Sequence, residues 1–206
     1  MKIVIGLGNP GRRYEATPHN LGFEVIGELA RRWCFSGRTG RAGEAEVFEG
    51  HADIHPVLLV RPQTFMNRSG AVVAQLVRQR EFTPEELLIV VDDVNLPIGR
   101  LRIRSGGGHG GHNGLRSIIE RTGTREFSRL RIGIRPPWEV ADLTAYVLTR
   151  PPASQQQQLA EMALLGADAV EHWLHHGTAG TAERYNADRR FEAAEDEPGG
   201  EAEQPE

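Results

Sequence analysis

The chain has 206 residues, 39% of them hydrophobic, enough for one well-buried core and short for two. Its single cysteine, Cys34, excludes an intrachain disulfide and points to a reducing compartment, and no apolar run is long enough for a membrane helix or a secretion signal, so the chain reads as cytosolic. The formal charge of −4 averages two unlike parts: residues 191–206 hold seven of the 28 acids and no Lys or Arg, leaving 24 basic against 21 acidic groups, or +3, over residues 1–190. The folded domain is expected over residues 1–187, with an acidic, disordered tail over 188–206. The mildly basic domain is compatible with nucleic acid.

In chain order, Met1–Leu7 is a buried-strand pattern running into Gly6, Gly8 and Gly11, a G-x-G-x-x-G spacing. A dinucleotide site needs a helix starting at those glycines. Here Pro10 pushes Asn9 toward extended geometry and the apolar period begins only near Leu21. The alternative is a tight turn presenting Asn9 at the carboxyl end of a strand. His19 then stands at the entrance to a helix through Phe23, Val25, Ile26 and Leu29, with Asn20 as its expected N-cap. Val47–Phe48 and Pro56–Val60 read as strands linked through Gly50–His55. Residues 61–70 lead into a helix carrying Val72, Val73, Leu76 and Val77; Asn67 sits at that junction, and Phe65 and Met66 read as core or wall. Thr83 and Pro84 mark a short helical start.

Leu87–Val91 is the strongest central-strand run, and it ends in Asp92 and Asp93. Acids at the carboxyl end of a buried parallel strand serve as ligands or orient a histidine; a solvated turn is the alternative. Arg100, Arg102 and Arg104 share one face of a strand whose other face carries Leu101 and Ile103. The stripe ends at Ser105–Gly114, a glycine-dense strand-to-helix loop that delivers His112 and Asn113 at the start of a helix. Arg129–Ile134 is a further strand carrying Arg131, and Asp142–Leu148 and Gln155–Leu174 read as terminal helices, with His172, His175 and His176 near a helix end.

These pieces include no serine in a G-x-S-x-G elbow, and Cys34 lies in a helix pattern far from the glycine loops. His109 and His112 have ligand-like spacing, but it crosses glycines and no third ligand is evident. What remains is water activated by a histidine, with a carboxylate fixing its tautomer and asparagine amides serving a developing oxyanion.

GLGNPG (6–11), the pair His19 and Asn20, PQTFMNRSG (62–70), DDVNLPIG (92–99), GGGHGGHNG (106–114) and RLRIGI (129–134) together resemble bacterial peptidyl-tRNA hydrolase, in family order over residues 1–186. The resemblance implies a single α/β domain, with a mixed, mainly parallel sheet flanked by helices. It implies cleavage of the ester joining a peptide to the tRNA 3′ ribose, recycling tRNA released prematurely, without metal or cofactor. His19 then corresponds to the general base and Asp92 to its orienting partner. Asn113 corresponds to the residue holding water and oxyanion, and Asn9 to a catalytic positioning group. Asn67, Phe65, Met66 and Tyr14 fall at substrate-binding positions, His112 at one that either supports the catalytic groups from behind or contacts the substrate at the tRNA end, and Arg102, Arg104 and Arg131 at phosphate-binding ones. The implied partner is peptidyl-tRNA, met at its acceptor stem and CCA end by a monomer. Asn95 stands where the family often has Asp, Pro18 where Arg is frequent, and residues 135–139 lack the glycines usual there. Two rivals remain: an RNA-binding relative of the kind that serves intron splicing in plant organelles, and an oxidoreductase built on Gly6–Gly11. Retention of His19, Asp92, Asn9, Asn67 and Asn113 together speaks against the first, and Pro10 against the second.

Overall fold

The computed structural model describes residues 1–39, 44–79 and 83–187, so the tail expected over 188–206 lies outside the described residues. One sheet organises them. Its strands are β1 (Lys2–Gly6), β2 (Gly37–Thr39), β3 (Ala45–Ala52), β4 (His55–Pro62), β5 (Leu87–Pro97), β6 (Leu101–Arg104) and β7 (Ser128–Arg135), in the order β2-β3-β4-β1-β5-β7-β6. β4, β1, β5 and β7 are parallel neighbours, and β3 and β6 run against them. The expected mixed, mainly parallel sheet is present.

The apolar runs of β1, β4 and β5 are continuous because both faces of these central strands are covered. Side chains alternate across a strand. Val4, Leu59, Leu88, Val90 and Ile132 therefore pack toward α1 (Leu21–Arg32) and α5 (Ala153–Tyr185), together with Val25, Leu29, Val170 and Trp173. Ile3, Ile5, Leu58, Val60, Ile89 and Val91 face α2 (Ser69–Gln79) and α3 (Asn113–Thr122), meeting Val72, Val73, Leu115 and Ile118. Each such side chain, fully buried, contributes roughly 1.5–3 kcal/mol. α1 lies close enough on the sheet that a Cβ on Gly22 would stand 2.5 Å from the backbone N and O of Leu7.

Several elements differ from expectation in ways that matter for function. No helix starts at Gly6–Gly11; 3-10 turns at Arg12–Tyr14 and Pro18–Asn20 precede α1, which removes the geometry a dinucleotide site requires. Asp92 and Asp93 lie within β5, which continues to Pro97 with a register break between Asp93 and Pro97. α4 (Leu143–Leu148) starts at its Asp142 cap as expected, whereas α5 continues well beyond Leu174 and breaks at Gly177 (φ 64°, ψ −171°). His172, His175 and His176 thus occupy the last two turns before that break.

Candidate active site

His19 is carried by the Pro18–Asn20 turn, where Pro18 takes the first position that its fixed φ favours. Its Nδ1 lies 2.9 and 3.0 Å from the two carboxylate oxygens of Asp92, and both residues are buried. Burial pulls the pKa of His19 down, but the charge and hydrogen bond of Asp92 outweigh it and the net shift is upward. Burial likewise opposes the charge of Asp92; the pull of His19 and the hydrogen bond from His112 prevail, holding the carboxyl well below its ordinary range. Asp92 is thus an anion, and His19 Nδ1 donates to it.

Asn20 takes the expected N-cap position of α1, but its side chain makes no capping bond. Its side chain clamps the main chain of Asn9 instead, Oδ1 accepting from Asn9 N at 2.8 Å and Nδ2 donating to Asn9 O at 3.0 Å. The β1 loop is thereby tied to the turn bearing His19. Asn9 Oδ1 accepts from the backbone N–H of Met66 at 2.8 Å, which fixes its amide and turns Nδ2 into the spare donor. The Met66 side chain is buried in the core facing α2 and α3, so its link to the site runs through the backbone. Asn67 and Phe65 are exposed beside it, and the rings of Phe65 and Tyr14 meet edge-to-face at 6.5 Å.

The glycine loop climbs along β7 to reach this place. Gly107 N donates to Arg125 O, and the buried guanidinium of Arg129 donates to the carbonyls of Gly107, Gly108 and Arg125. Burial foremost, and then the nearby charge of Arg131, pushes the Arg129 pKa down to about 10. Arg131 continues the ladder, donating to Asp93 at 2.9 Å, to Gly108 O at 3.1 Å and to His109 O at 3.2 Å. Positive φ at Gly107, Gly110 and Gly111 permits the path. The loop ends at His112, the N-cap of α3, whose Nδ1 accepts from Gly114 N at 3.1 Å and Leu115 N at 3.3 Å. Its Nε2 stands 3.1 Å from Asp92 Oδ1. Asn113 is exposed at the first helical position; its Oδ1 accepts from Arg116 at 2.7 Å, leaving Nδ2 to the cleft.

His19, Asp92, His112 and Asn113 share a cavity of about 360 Å³, whose far wall is Leu143, Val147 and Leu148 of α4. A larger cavity of about 520 Å³ lies between α1 and α5; of its charged groups Glu24, Glu28 and Arg31, the last two pair with each other, and its lining holds no histidine–carboxylate pair. Asn95, the departure from Asp, bonds to Asp93 through its backbone and side-chain nitrogens and lines the first cavity.

Not every expected residue has the expected placement. Arg102 and Arg104 are exposed on the edge strand β6, whereas Arg131 directs its guanidinium to Asp93 and to the carbonyl of Gly108. Among the described residues, the three ligand-type side chains that converge are His19, Asp92 and His112, within 4.8 Å, rather than a pair of His109 and His112. Their facing atoms are taken up by hydrogen bonds to one another. Sequence reasoning missed the clamp by Asn20 and the buried Arg129; of the two roles open for His112, its place behind the catalytic groups has a counterpart in the bond to Asp92. Arg129 alone carried a signal, since it shares the face of Arg131 at strand period two.

Fold and site together define a class: a single-domain α/β protein whose parallel strands end at a buried histidine–carboxylate pair flanked by side-chain amides, the equipment of a hydrolase. Residues 3–194 match the family model for peptidyl-tRNA hydrolase. A Deinococcus deserti peptidyl-tRNA hydrolase is 44% identical over 188 residues, covering 91% of this chain and 86% of the relative, and one from Chloroflexus aggregans is 44% identical over 187 residues, covering 90% and 99%. The crystal structure of the Acinetobacter baumannii peptidyl-tRNA hydrolase superposes with a TM-score of 0.83 at 32% identity, covering 91% of this chain and 95% of that one. The chain belongs to the peptidyl-tRNA hydrolase family.

Proposed function

We propose that this protein cleaves the ester between a peptide and the 3′ ribose of tRNA by direct attack of water, and that His19 is the base. The buried bond from His19 Nδ1 to Asp92 carries the reading. With Nδ1–H donated to a carboxylate, the lone pair resides on Nε2, which takes a proton from water as the oxygen adds to the ester carbonyl. Asp92 stabilises the imidazolium that results. The spare Nδ2 groups of Asn113 and Asn9 serve the oxyanion and the peptide carbonyl. Collapse expels the ribose 3′ oxygen, which recovers the proton from His19 and leaves a free peptide carboxylate and a tRNA with its 3′ hydroxyl. No step requires a metal or cofactor.

An N-blocked substrate offers an amide to these donors, whereas the charged amine of a simple aminoacyl ester leaves them unpaired, and that difference supplies selectivity. The exposed ring of Phe65 with Tyr14 at its edge offers a stacking surface for unpaired CCA bases, with Asn67 beside it. Arg102 and Arg104 take acceptor-stem phosphates. We assign this activity to a cytoplasmic monomer.

The test is release of N-acetyl-aminoacyl groups from tRNA in the presence of chelator, by the wild type and by His19→Ala. Turnover that survives chelation and falls by about 10²–10⁴ in the variant, with tRNA binding retained, supports the reading. Tight tRNA binding without turnover in the wild type refutes it in favour of an RNA-binding role, and loss of activity on chelation refutes the metal-free mechanism.

A further inference from the structure

Asp92 Oδ1 serves two rings at once, His19 Nδ1 at 2.9 Å and His112 Nε2 at 3.1 Å, and the ring centroids stand 5.1 Å apart. The protonation of the second ring is dictated from outside the site. His112 Nδ1 faces two backbone N–H groups at the start of α3, from Gly114 and Leu115, so it must present a lone pair to them. The proton of a neutral imidazole then sits on Nε2, which points at Asp92.

We propose that His112 is a positioning residue: held by the α3 amides as the Nε2–H tautomer, it donates to Asp92 and weakens that carboxylate's hold on the proton of His19. This deepens the reading of His19 as base and rests on it. A carboxylate bonded only to His19 would stabilise the imidazolium more strongly, holding His19 protonated and idle to higher pH. A donor from His112 spreads the charge over a second bond and keeps His19 available at neutral pH. It also stops Asp92 from turning away from the dyad. The neighbouring groups leave this role to His112. On β5 the adjacent Asp93 is paired with Arg131 of β7, and the α4 wall presents only Leu143, Thr144, Val147 and Leu148. On the loop, His109 Nδ1 accepts from Gly111 N.

The two edges of the imidazole can be separated by substitution. In His112→Asn the amide oxygen occupies the place of Nδ1 and keeps the cap, but nothing reaches Asp92. In His112→Gln the amide nitrogen occupies the place of Nε2 and keeps the donor, but the cap is lost. The titration of His19 followed by NMR is the primary readout, because it does not depend on activity; the pH profile of kcat/KM is the second. We expect His112→Asn to raise the His19 midpoint by about one pH unit, move the acid limb of kcat/KM up with it, and leave thermal stability near that of wild type. His112→Gln is expected to melt lower while its His19 midpoint stays at the wild-type value. Nitrogen-15 shifts of wild-type His112 should show an unprotonated Nδ1 and a protonated Nε2.

An unmoved His19 midpoint in His112→Asn, equal shifts in both variants, or a protonated Nδ1 on His112 would each overturn the proposal. If His19 titrates as expected but His19→Ala still turns over, the coupling stands and the assignment of His19 as base fails.

Discussion

At the scale of single residues, the proposed role of His19 as base predicts how the rate depends on pH. His19 has its pKa raised in the folded protein, so base catalysis is lost as pH falls through a midpoint above the ordinary 6.5. A kcat/KM profile in wild type whose acid limb lies at or below 6.5 would contradict the strength assigned to Asp92. The same shifts bear on stability, with opposite signs. The raised pKa of His19 stabilises the fold fully below 6.5, and that contribution fades as pH rises through the folded value. The depressed pKa of Asp92 stabilises it above 3.8, and that contribution fades as pH falls toward the folded value. Asp92→Asn should therefore lose most stability relative to wild type between these limits, the melting temperatures converging in strong acid. Its turnover should fall by about 10²–10⁴. Melting difference against pH and single-turnover rates check the two halves independently.

At the scale of elements, the site depends on segments brought close by unlike means. α1 approaches β1 across Gly22, whose added Cβ would meet backbone rather than a side chain able to move. Gly22→Ala should destabilise by about 1–3 kcal/mol and, by shifting the Pro18–Asn20 turn, lower kcat as well. The glycine loop depends on Arg129, whose planar fork reaches several carbonyls at once. Arg129→Lys retains charge but cannot span them, and unsatisfied carbonyls cost about 1–3 kcal/mol. Thermal unfolding should show that loss, together with lower turnover from the displaced His112 and Asn113; wild-type values for both would mean that the loop holds its own shape. The legibility of these elements in the sequence followed the range of the interactions. β1 and β5 could be read because a buried strand prints a continuous apolar run, β7 because Leu130, Ile132 and Ile134 recur at the strand period of two, and α3 because its glycine loop and apolar period adjoin. β2 could not, being three residues whose pairing with β3 is a tertiary matter. The same holds for Asn20: an asparagine before a helix has the local look of a cap, and only the return of the β1 loop reveals its use as a clamp. For Arg131 the strand position was legible, while its bond to Asp93 on the neighbouring strand was not.

At the scale of the whole molecule, charge distribution governs how the protein meets a polyanion. Arg102 and Arg104 project from β6, the outermost strand, and Asn186 at the end of α5 bonds both backbone groups of Ile103 on that same strand. The described residues thus end beside the strand that carries the basic stripe, and residues 191–206 carry seven acids and no base. Removing them changes the formal charge from −4 to +3. Fields from the full chain steer a charged ligand, and added salt screens them. Deletion of residues 191–206 should consequently strengthen tRNA binding several-fold at about 50 mM salt, chiefly through the association rate, with the difference vanishing near 0.5 M. Thermal unfolding of the shortened protein controls for any change in the fold itself. Arg104→Ala should act in the opposite direction, weakening binding and reducing the slope of log K against log salt by about 1, with turnover at saturation kept. Combining the two changes separates the contributions. If the tail acts by lying over the stripe, deletion should strengthen binding less in Arg104→Ala than in the wild type. If it acts only through net charge, the two effects should add. Filter-binding or stopped-flow titrations of the four proteins across salt concentration distinguish these outcomes, and unchanged low-salt affinity on deletion would exclude both.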